Sequence, residues 1–421
     1  GWVEHIQYEG CESLDQVKRY YRRLGLYLAL LYAINASDFH LENLIAAGEE
    51  PVLIDLETLF NPEFERFDDN DAETMASQAM LQSVLVVAML PQRLWTLGDY
   101  AGIDISGLGG EAGQLSPDRT PLPTDVGTDA MRYVRARTEI EGEANRPTLD
   151  GVESNAVDFV EDVVAGFIDM YEILTECREA LLSADGPLAR FDSDEIRVLL
   201  RPTRTYYQLL YESFHPDMLQ DGLERDRLFD RLWFVVPERA HMAAALPSEL
   251  AELQMGDIPV FTTQPNSLQL TSGTGDSIDG VLTETGMDLV RRRVQQLNLE
   301  DMRRQVWFIR SSLATLEPVG IDIDMPPSIT HEFLPSVESV DRDHLRAVAF
   351  RVAERLVETA LLGEEDVTWL GLEAILDESW DLAPLGMDLY GGISGIGLFL
   401  AYAGDCLNDE RFTALARRVH N

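Results

Sequence analysis

Lysine is almost missing: Lys18 is the only one, and every other basic residue is arginine. Basic residues number 33 against 74 acidic ones, a formal net charge of −41. Nucleic acids and anionic membranes are held through neutralised phosphates, so a surface this negative excludes both as partners. Cysteine is also scarce. Cys11, Cys177 and Cys406 lie far apart, which excludes a disulfide framework and paired zinc spacing, and suits a reducing cytoplasm. No apolar run reaches the roughly 18 residues of a membrane span. The longest, Leu81 to Leu90, reads as a buried helix. No basic-then-apolar signal segment opens the chain, and Gly1-Trp2-Val3-Glu4 reads as a chain taken up in its middle. No fixed-period repeat is visible.

What is present suits a large soluble core. Hydrophobic residues make up 45 % of 421 residues, enough for two or three domains. The acids are spread along the chain rather than gathered in a tail. Two explanations stay open for them: a halophilic source, where salt screens the self-repulsion, or an acidic protein from a GC-rich genome.

Val17, Tyr20, Tyr21, Leu24, Leu28 and Leu31 recur at helical spacing and predict a helix from Leu14 to Ala36. Ser37-Asp38-Phe39-His40 breaks it. Leu44 to Ala46 predicts a short strand, Gly48-Glu49-Glu50-Pro51 a turn, and Val52 to Asp55 a second strand. Residues 96–128, rich in Gly, Pro, Ser and Asp, read as a mobile surface segment. Helices are expected over 152–183, 195–213 and 287–315, and a loop over 257–280 with one strand at Val260-Phe261-Thr262. Pro318, Pro326, Pro327 and Pro335 mark 317–343 as an interdomain linker. An amphipathic helix starts near His344 on Val348, Val352, Leu356 and Ala360. The expected domains are 1–335 and 340–421.

Phosphorylation of a hydroxyl by ATP needs a metal, anionic ligands for that metal, and a base or orienting group. Kinases supply the last two from a loop where Asp is followed five residues on by Asn, with a metal-binding Asp on the next hairpin. Asp38 and Asn43 stand five apart, and Asp55 follows twelve residues later. His40, two after the Asp, is an order nearer to lipid kinases than to His-Arg-Asp kinases. Glu57 adds a carboxylate on the same strand face as Asp55, since alternate residues share a face. Each residue alone has a blander explanation, as a helix cap, a turn former or a solvated strand edge. Together the five fit one phosphoryl-transfer geometry.

Asp38-Phe39-His40-Leu41-Glu42-Asn43-Leu44-Ile45-Ala46, followed by Gly48-Glu49-Glu50-Pro51-Val52-Leu53-Ile54-Asp55-Leu56-Glu57-Thr58-Leu59-Phe60, resembles the dehydratase signature of class II (LanM-type) lanthipeptide synthetases. The resemblance implies a lipid-kinase-like domain that uses ATP and Mg2+ to phosphorylate Ser and Thr of a precursor peptide carrying a leader. The phosphate is then eliminated to leave dehydroalanine or dehydrobutyrine. It also implies substrate-hydroxyl chemistry at Asp38 and His40, magnesium at Asn43 and Asp55, and a place beside them for Glu57. Gly1-Trp2-Val3-Glu4 resembles the segment joining the two kinase lobes.

Elimination needs a cationic fork for the leaving phosphate, which arginine provides. Ile196-Arg197-Val198-Leu199-Leu200-Arg201-Pro202-Thr203-Arg204-Thr205-Tyr206-Tyr207 gathers three arginines in an acidic chain. On composition alone an Arg-rich helix face paired with nearby acids is the favoured explanation. The run also resembles the family's second signature, an Arg followed six residues later by Thr. This implies that Arg197 holds the phosphate and Thr203 assists elimination, with Arg201 as a further partner. His215-Pro216 and Asp257-Ile258-Pro259-Val260-Phe261 are landmarks of the same domain; His215 reads as a structural or capping residue.

Asp388-Leu389-Tyr390-Gly391-Gly392-Ile393-Ser394-Gly395-Ile396-Gly397-Leu398-Phe399-Leu400-Ala401 resembles the first glycine-rich helix entry of a LanC-like lanthionine cyclase, an α/α toroid. No strand precedes it and it fits no dinucleotide fingerprint. Zn2+ on two Cys and a His is implied only for a complete cyclase domain, and Cys406 alone is not assigned to it. Lys18 sits on the helix before the catalytic loop and cannot be a kinase's phosphate-binding lysine. The lobe carrying that lysine is therefore expected outside this chain, and the chain alone is expected to be inactive. The expected fold is α+β: the C-lobe of a lipid-kinase-like dehydratase domain with helical additions, then the first helices of a toroid. Two other functions stand beside it. A small-molecule or lipid phosphotransferase has no reason to carry the Arg197/Thr203 pair. A non-catalytic peptide-binding scaffold has no reason to keep all five loop residues.

Overall fold

Ser13 caps the first helix by accepting the Gln16 N–H, and the apolar stripe from Val17 to Leu31 is buried along it. In the computed structural model, residues 4–64, 70–94, 103–110, 113–116, 119–139, 142, 144–317, 341–375 and 379–419 are described. This helix, α1 (Leu14–Ala33), stops three residues short of the expected end because Asn35 takes the left-handed conformation, φ 51°. It packs against α2 (Val160–Glu176). The crossing is tight: a Cβ on Gly25 would collide with the Val163 carbonyl, and one on Gly166 with the Arg22 carbonyl.

Helices and antiparallel strand pairs share the chain, an α+β fold with no closed barrel among the described residues. No helix among them is long and apolar enough to cross a membrane. The chain divides into two compact units, Gly1–Arg66 with Val84–Arg310, and Phe67–Ser83 with Ser311–Asn421.

In the first unit, β1 (Leu44–Ala47) and β2 (Glu50–Leu53) form a hairpin with Ala47 opposite Glu50. Gly48, at φ 63°, makes the two-residue turn possible. Pro51 lies inside β2 rather than in the turn. Its partner Ala46 gives its N–H to the Ala144 carbonyl on the other side, so the missing proline N–H leaves no gap in the hairpin. The strand ends at Leu53, so Asp55 and Glu57 lie in the loop beyond it and not on a shared strand face. A four-stranded sheet runs Ser277–Ile278, Leu270–Ser272, Phe261–Thr263, Ile196–Arg197. We label the last of these β3.

Several sequence expectations give way here. Residues 195–213 are not one helix. Pro202 disfavours helix at the residue before it, so α3 (Thr203–Ser213) starts after it and Arg197 sits on a strand. Leu81–Leu90 holds a short 3-10 turn, Val84–Val87, instead of a buried helix, and Leu81 is exposed. The 287–315 run is two helices, because the Asn298 side chain accepts the Glu300 and Asp301 N–H groups and starts a second one. Where 96–128 is described it is partly interior: Ile103, Asp104, Ser106 and Leu108 are buried, and Asn145 donates to the Gly107 carbonyl. Residues 1–3 and most of the expected linker lie outside the described residues.

In the second unit, a hairpin pairs Leu370–Ile375 with Ser379–Pro384, so a strand does precede the glycine-rich segment that starts at Asp388, against the sequence expectation. The helix Arg342–Thr359 turns Ala353, Leu356 and Val357 inward rather than Val352, which is exposed. Gly392 caps the helix Ile393–Leu407, which packs on Glu410–Arg418. The approach is closest at Gly397, against Val419, and at Gly404, against Thr413. Cys406 is exposed and free.

Candidate active site

Asp38 is held in an unfavourable backbone conformation, φ 68°, in the loop after α1. Its neighbours are pinned on both sides. Thr58 Oγ1 donates to the Ser37 carbonyl at 2.6 Å, the Ser37 N–H donates to the Thr58 carbonyl, and Asn61 Nδ2 donates to Ser37 Oγ at 2.7 Å. On the other side the Phe39 N–H donates to the Val87 carbonyl. Asn43 Nδ2 closes the loop on the Asp38 carbonyl at 2.8 Å. A residue strained in this way persists only where its surroundings over-determine it.

His40 Nδ1 accepts the Glu42 N–H, which leaves the neutral ring's proton on Nε2. That nitrogen lies 3.8 Å from Asp38 Oδ1 and 3.4 Å from Asn43 Nδ2. Burial pushes the Asp38 carboxyl above the usual range. His40 and Arg197 pull it back, and Asp55 and Glu57 push it further up.

The two halves of the expected site meet through the 55–57 loop. Asp55 Oδ1 accepts the Glu57 N–H at 3.1 Å. The Glu57 carbonyl accepts the Arg197 N–H at 2.8 Å, and its carboxylate pairs with the Arg197 guanidinium. The other arm of that guanidinium reaches Thr203 Oγ1 at 3.4 Å. Asp38, His40, Asn43, Asp55, Glu57, Arg197 and Thr203 thus form one connected neighbourhood. Glu57 serves in it as the counter-ion of Arg197.

Asn43 Oδ1 and Asp55 Oδ2 have no hydrogen-bond partner among the described residues, and neither do the Asp38 carboxylate oxygens or Glu57 Oε2. An amide and a carboxylate are hard oxygen donors of the kind magnesium takes. No group of three or more His, Cys, Asp or Glu among the described residues could hold a metal. Magnesium needs no such cage, since it keeps waters and adds one or two protein oxygens to those of a phosphate.

Arg201 does not join them. It donates to the fully buried Glu249, Nε at 2.7 Å and Nη2 at 3.2 Å, and to the Leu232 carbonyl. Tyr206 donates to the same carboxylate at 2.5 Å, and its own hydroxyl is pushed far above its usual range by burial and by that charge. The clamp brackets Thr203, the first residue of α3. Glu249 was missed in the sequence, though it had a signal: an acid standing three after Leu246 and four before Leu253, on the buried face of its helix. Arg204 is exposed and has no ion pair among the described residues. His215 caps the short helix Pro216–Leu219, accepting the Asp217 N–H at 3.2 Å.

Residues 1–264 match the family model described as "Domain of unknown function (DUF4135)", and the chain belongs to that family. All seven site residues fall inside the match. Over 409 residues the chain is 27 % identical to a Lactococcus lactis subsp. lactis protein named "Lacticin 481/lactococcin biosynthesis protein LcnDR2". That similarity covers 95 % of this chain and 42 % of the relative, so the chain spans less than half of that protein's length.

Proposed function

We propose that this chain carries the Ser/Thr dehydratase site of a lanthipeptide synthetase and the opening part of its cyclase. The observation that carries the reading is the contact between Glu57 and Arg197, which unites the phosphorylation residues with the elimination residues. A small-molecule kinase has no use for that union. The relative's name, a lacticin and lactococcin biosynthesis protein, agrees with it.

In this reading Asp38 takes the proton of the substrate hydroxyl as that oxygen attacks the γ-phosphate of ATP, and the bond from the γ-phosphorus to the bridging oxygen breaks with ADP leaving on that electron pair. A carboxylate raised by burial is a stronger base than a solvated one. His40 keeps its Nε2 proton toward Asp38 and biases that carboxylate toward the ionised form. Asn43 and Asp55 are the residues that would hold magnesium, which would supply neutralising charge for the phosphates of ATP when bound. Arg197 then receives the phosphate ester. The α-carbon proton passes to solvent, the electron pair of the C–H bond forms the Cα–Cβ double bond, and the Cβ–O bond breaks with phosphate taking that bond's pair. Arg197, steadied by Glu57 and Thr203, stabilises the departing charge.

The glycine-lined approach of Ile393–Leu407 to Glu410–Arg418 supports the toroid reading of the C-terminal part. The domain division proposed from the sequence, 1–335 and 340–421, departs from the two compact units at residues 67–83 and 311–317.

The full-length protein, given ATP, Mg2+ and a serine-containing precursor peptide, is expected to remove one water mass per modified residue, read by mass spectrometry. Peptide that only gains phosphate would make the protein a kinase alone. Peptide that binds and returns unmodified would make it a scaffold.

A further inference from the structure

The helix that begins at Thr203 leads away from the active site to a second feature. Tyr207 and Tyr211 follow at four-residue steps, on the same face of α3, with Tyr207 half exposed. Their rings lie 6.1 Å apart, and Tyr211 touches Tyr133 at 6.1 Å. The ridge ends in a cavity of about 460 Å³ whose walls include Tyr133, Tyr211, His215, Arg135, Arg227 and Arg231. The lining carries three arginines, Arg135, Arg227 and Arg231, against three acids, Glu212, Asp217 and Glu224, a local balance far less negative than that of a chain of net charge −41.

Glu212, at the cavity wall, is shared: Arg231 holds it at 2.8 Å and Arg135 stands 3.7 Å away. One carboxylate cannot use the donors of two guanidiniums, so N–H groups remain for another acceptor. Arg227 pairs with Glu224 at 2.8 Å, both well exposed, a contact that water and ligands exchange readily. Asp217 lies at the rim beside His215. The Tyr133 and Tyr211 rings meet at 75°, edge to face, so they leave no parallel slot for a nucleotide base.

We propose that this cavity and the Tyr207–Tyr211 ridge bind the peptide substrate outside the reacting residue, with a carboxylate side chain of the peptide set between Arg135, Arg227 and Arg231. The proposal rests on the peptide-substrate reading above. Eight residues of helix place Tyr211 about 12 Å beyond Thr203, a span an extended peptide covers in about four residues. An acidic side chain seated in the cavity therefore sets which serine or threonine, about four residues away, reaches Arg197 and Asp38.

The test is fluorescence anisotropy of a short dye-labelled peptide of alternating glutamate and leucine, titrated with the full-length protein. A protein this acidic repels such a peptide everywhere except at clustered arginines. Binding is expected to weaken at least about tenfold in the R135S/R231S double variant, and likewise in R227S, and to fade with added salt. All three side chains are largely exposed, so the substitutions leave the fold alone. A lysine-for-glutamate peptide is expected not to bind. Unchanged affinity in the variants, equal binding of the lysine peptide, or displacement of the peptide from this cavity by ADP would each overturn the proposal. The two readings fail separately. Arginine-dependent binding without dehydration sinks the dehydratase, and dehydration with an unaltered KM in R135S/R231S sinks the cavity.

Discussion

Replacing Asp38 with asparagine in the full-length protein is expected to cut peptide phosphorylation by about 10²–10⁴-fold while leaving the protein folded. The substitution keeps the shape of the side chain and removes only its ability to take a proton. It also suits the backbone, because asparagine tolerates the left-handed conformation that Asp38 adopts at φ 68°. The Asn43 bond goes to the Asp38 carbonyl, which the substitution does not touch. One negative charge disappears beside Asp55 and Glu57, which disfavours a cation there, so the rate is compared at saturating magnesium. The measurement is the initial rate of phosphate incorporation, with circular dichroism as the fold control. A variant that phosphorylates at the parent rate would remove Asp38 from the chemistry.

Replacing Arg197 with alanine is expected to act on the other half. Phosphorylated peptide should accumulate, with elimination slowed by about 10²–10³-fold, the usual cost of losing a donor aimed at developing negative charge. A second effect follows from the electrostatics. Arg197 lowers the Asp38 pKa, so its loss raises it further. Asp38 acts as the base only when ionised, and a higher pKa moves the acid limb of phosphorylation to higher pH. The variant should therefore phosphorylate more poorly than the parent in mildly acidic buffer and equally well above the limb. Unmodified peptide at every pH would place Arg197 in phosphorylation instead.

The parts of this arrangement that the sequence reveals are local ones. The stripe of α1, the hairpin after it and the spacing of Asp38, Asn43 and Asp55 lie within 42 consecutive residues, 14–55, where periodicity and turn chemistry act directly. The less legible parts depend on distant partners. Nothing near Arg197 announces that its N–H meets the Glu57 carbonyl 140 residues back, or that it lies on a strand against Thr262. Pro202 gave the one available hint that no helix runs from 195, since the residue before a proline resists helix. The spacing of Glu249 puts it on the buried face of its helix, but what neutralises it there appears only when Arg201 and Tyr206 are seen to converge on it. The 103–108 stretch looks like a surface loop by composition, yet its burial depends on Asn145 and Met89.

Phosphorylation and elimination at one site can be separated by feeding the second step alone. A synthetic phosphoserine peptide, given to the Asp38→Asn and Arg197→Ala forms of the full-length protein and followed by mass, isolates the elimination. The Asp38 variant is expected still to convert it to the dehydrated peptide, and the Arg197 variant to leave it phosphorylated. Elimination by the Arg197 variant at the parent rate would contradict the role of Arg197 in elimination.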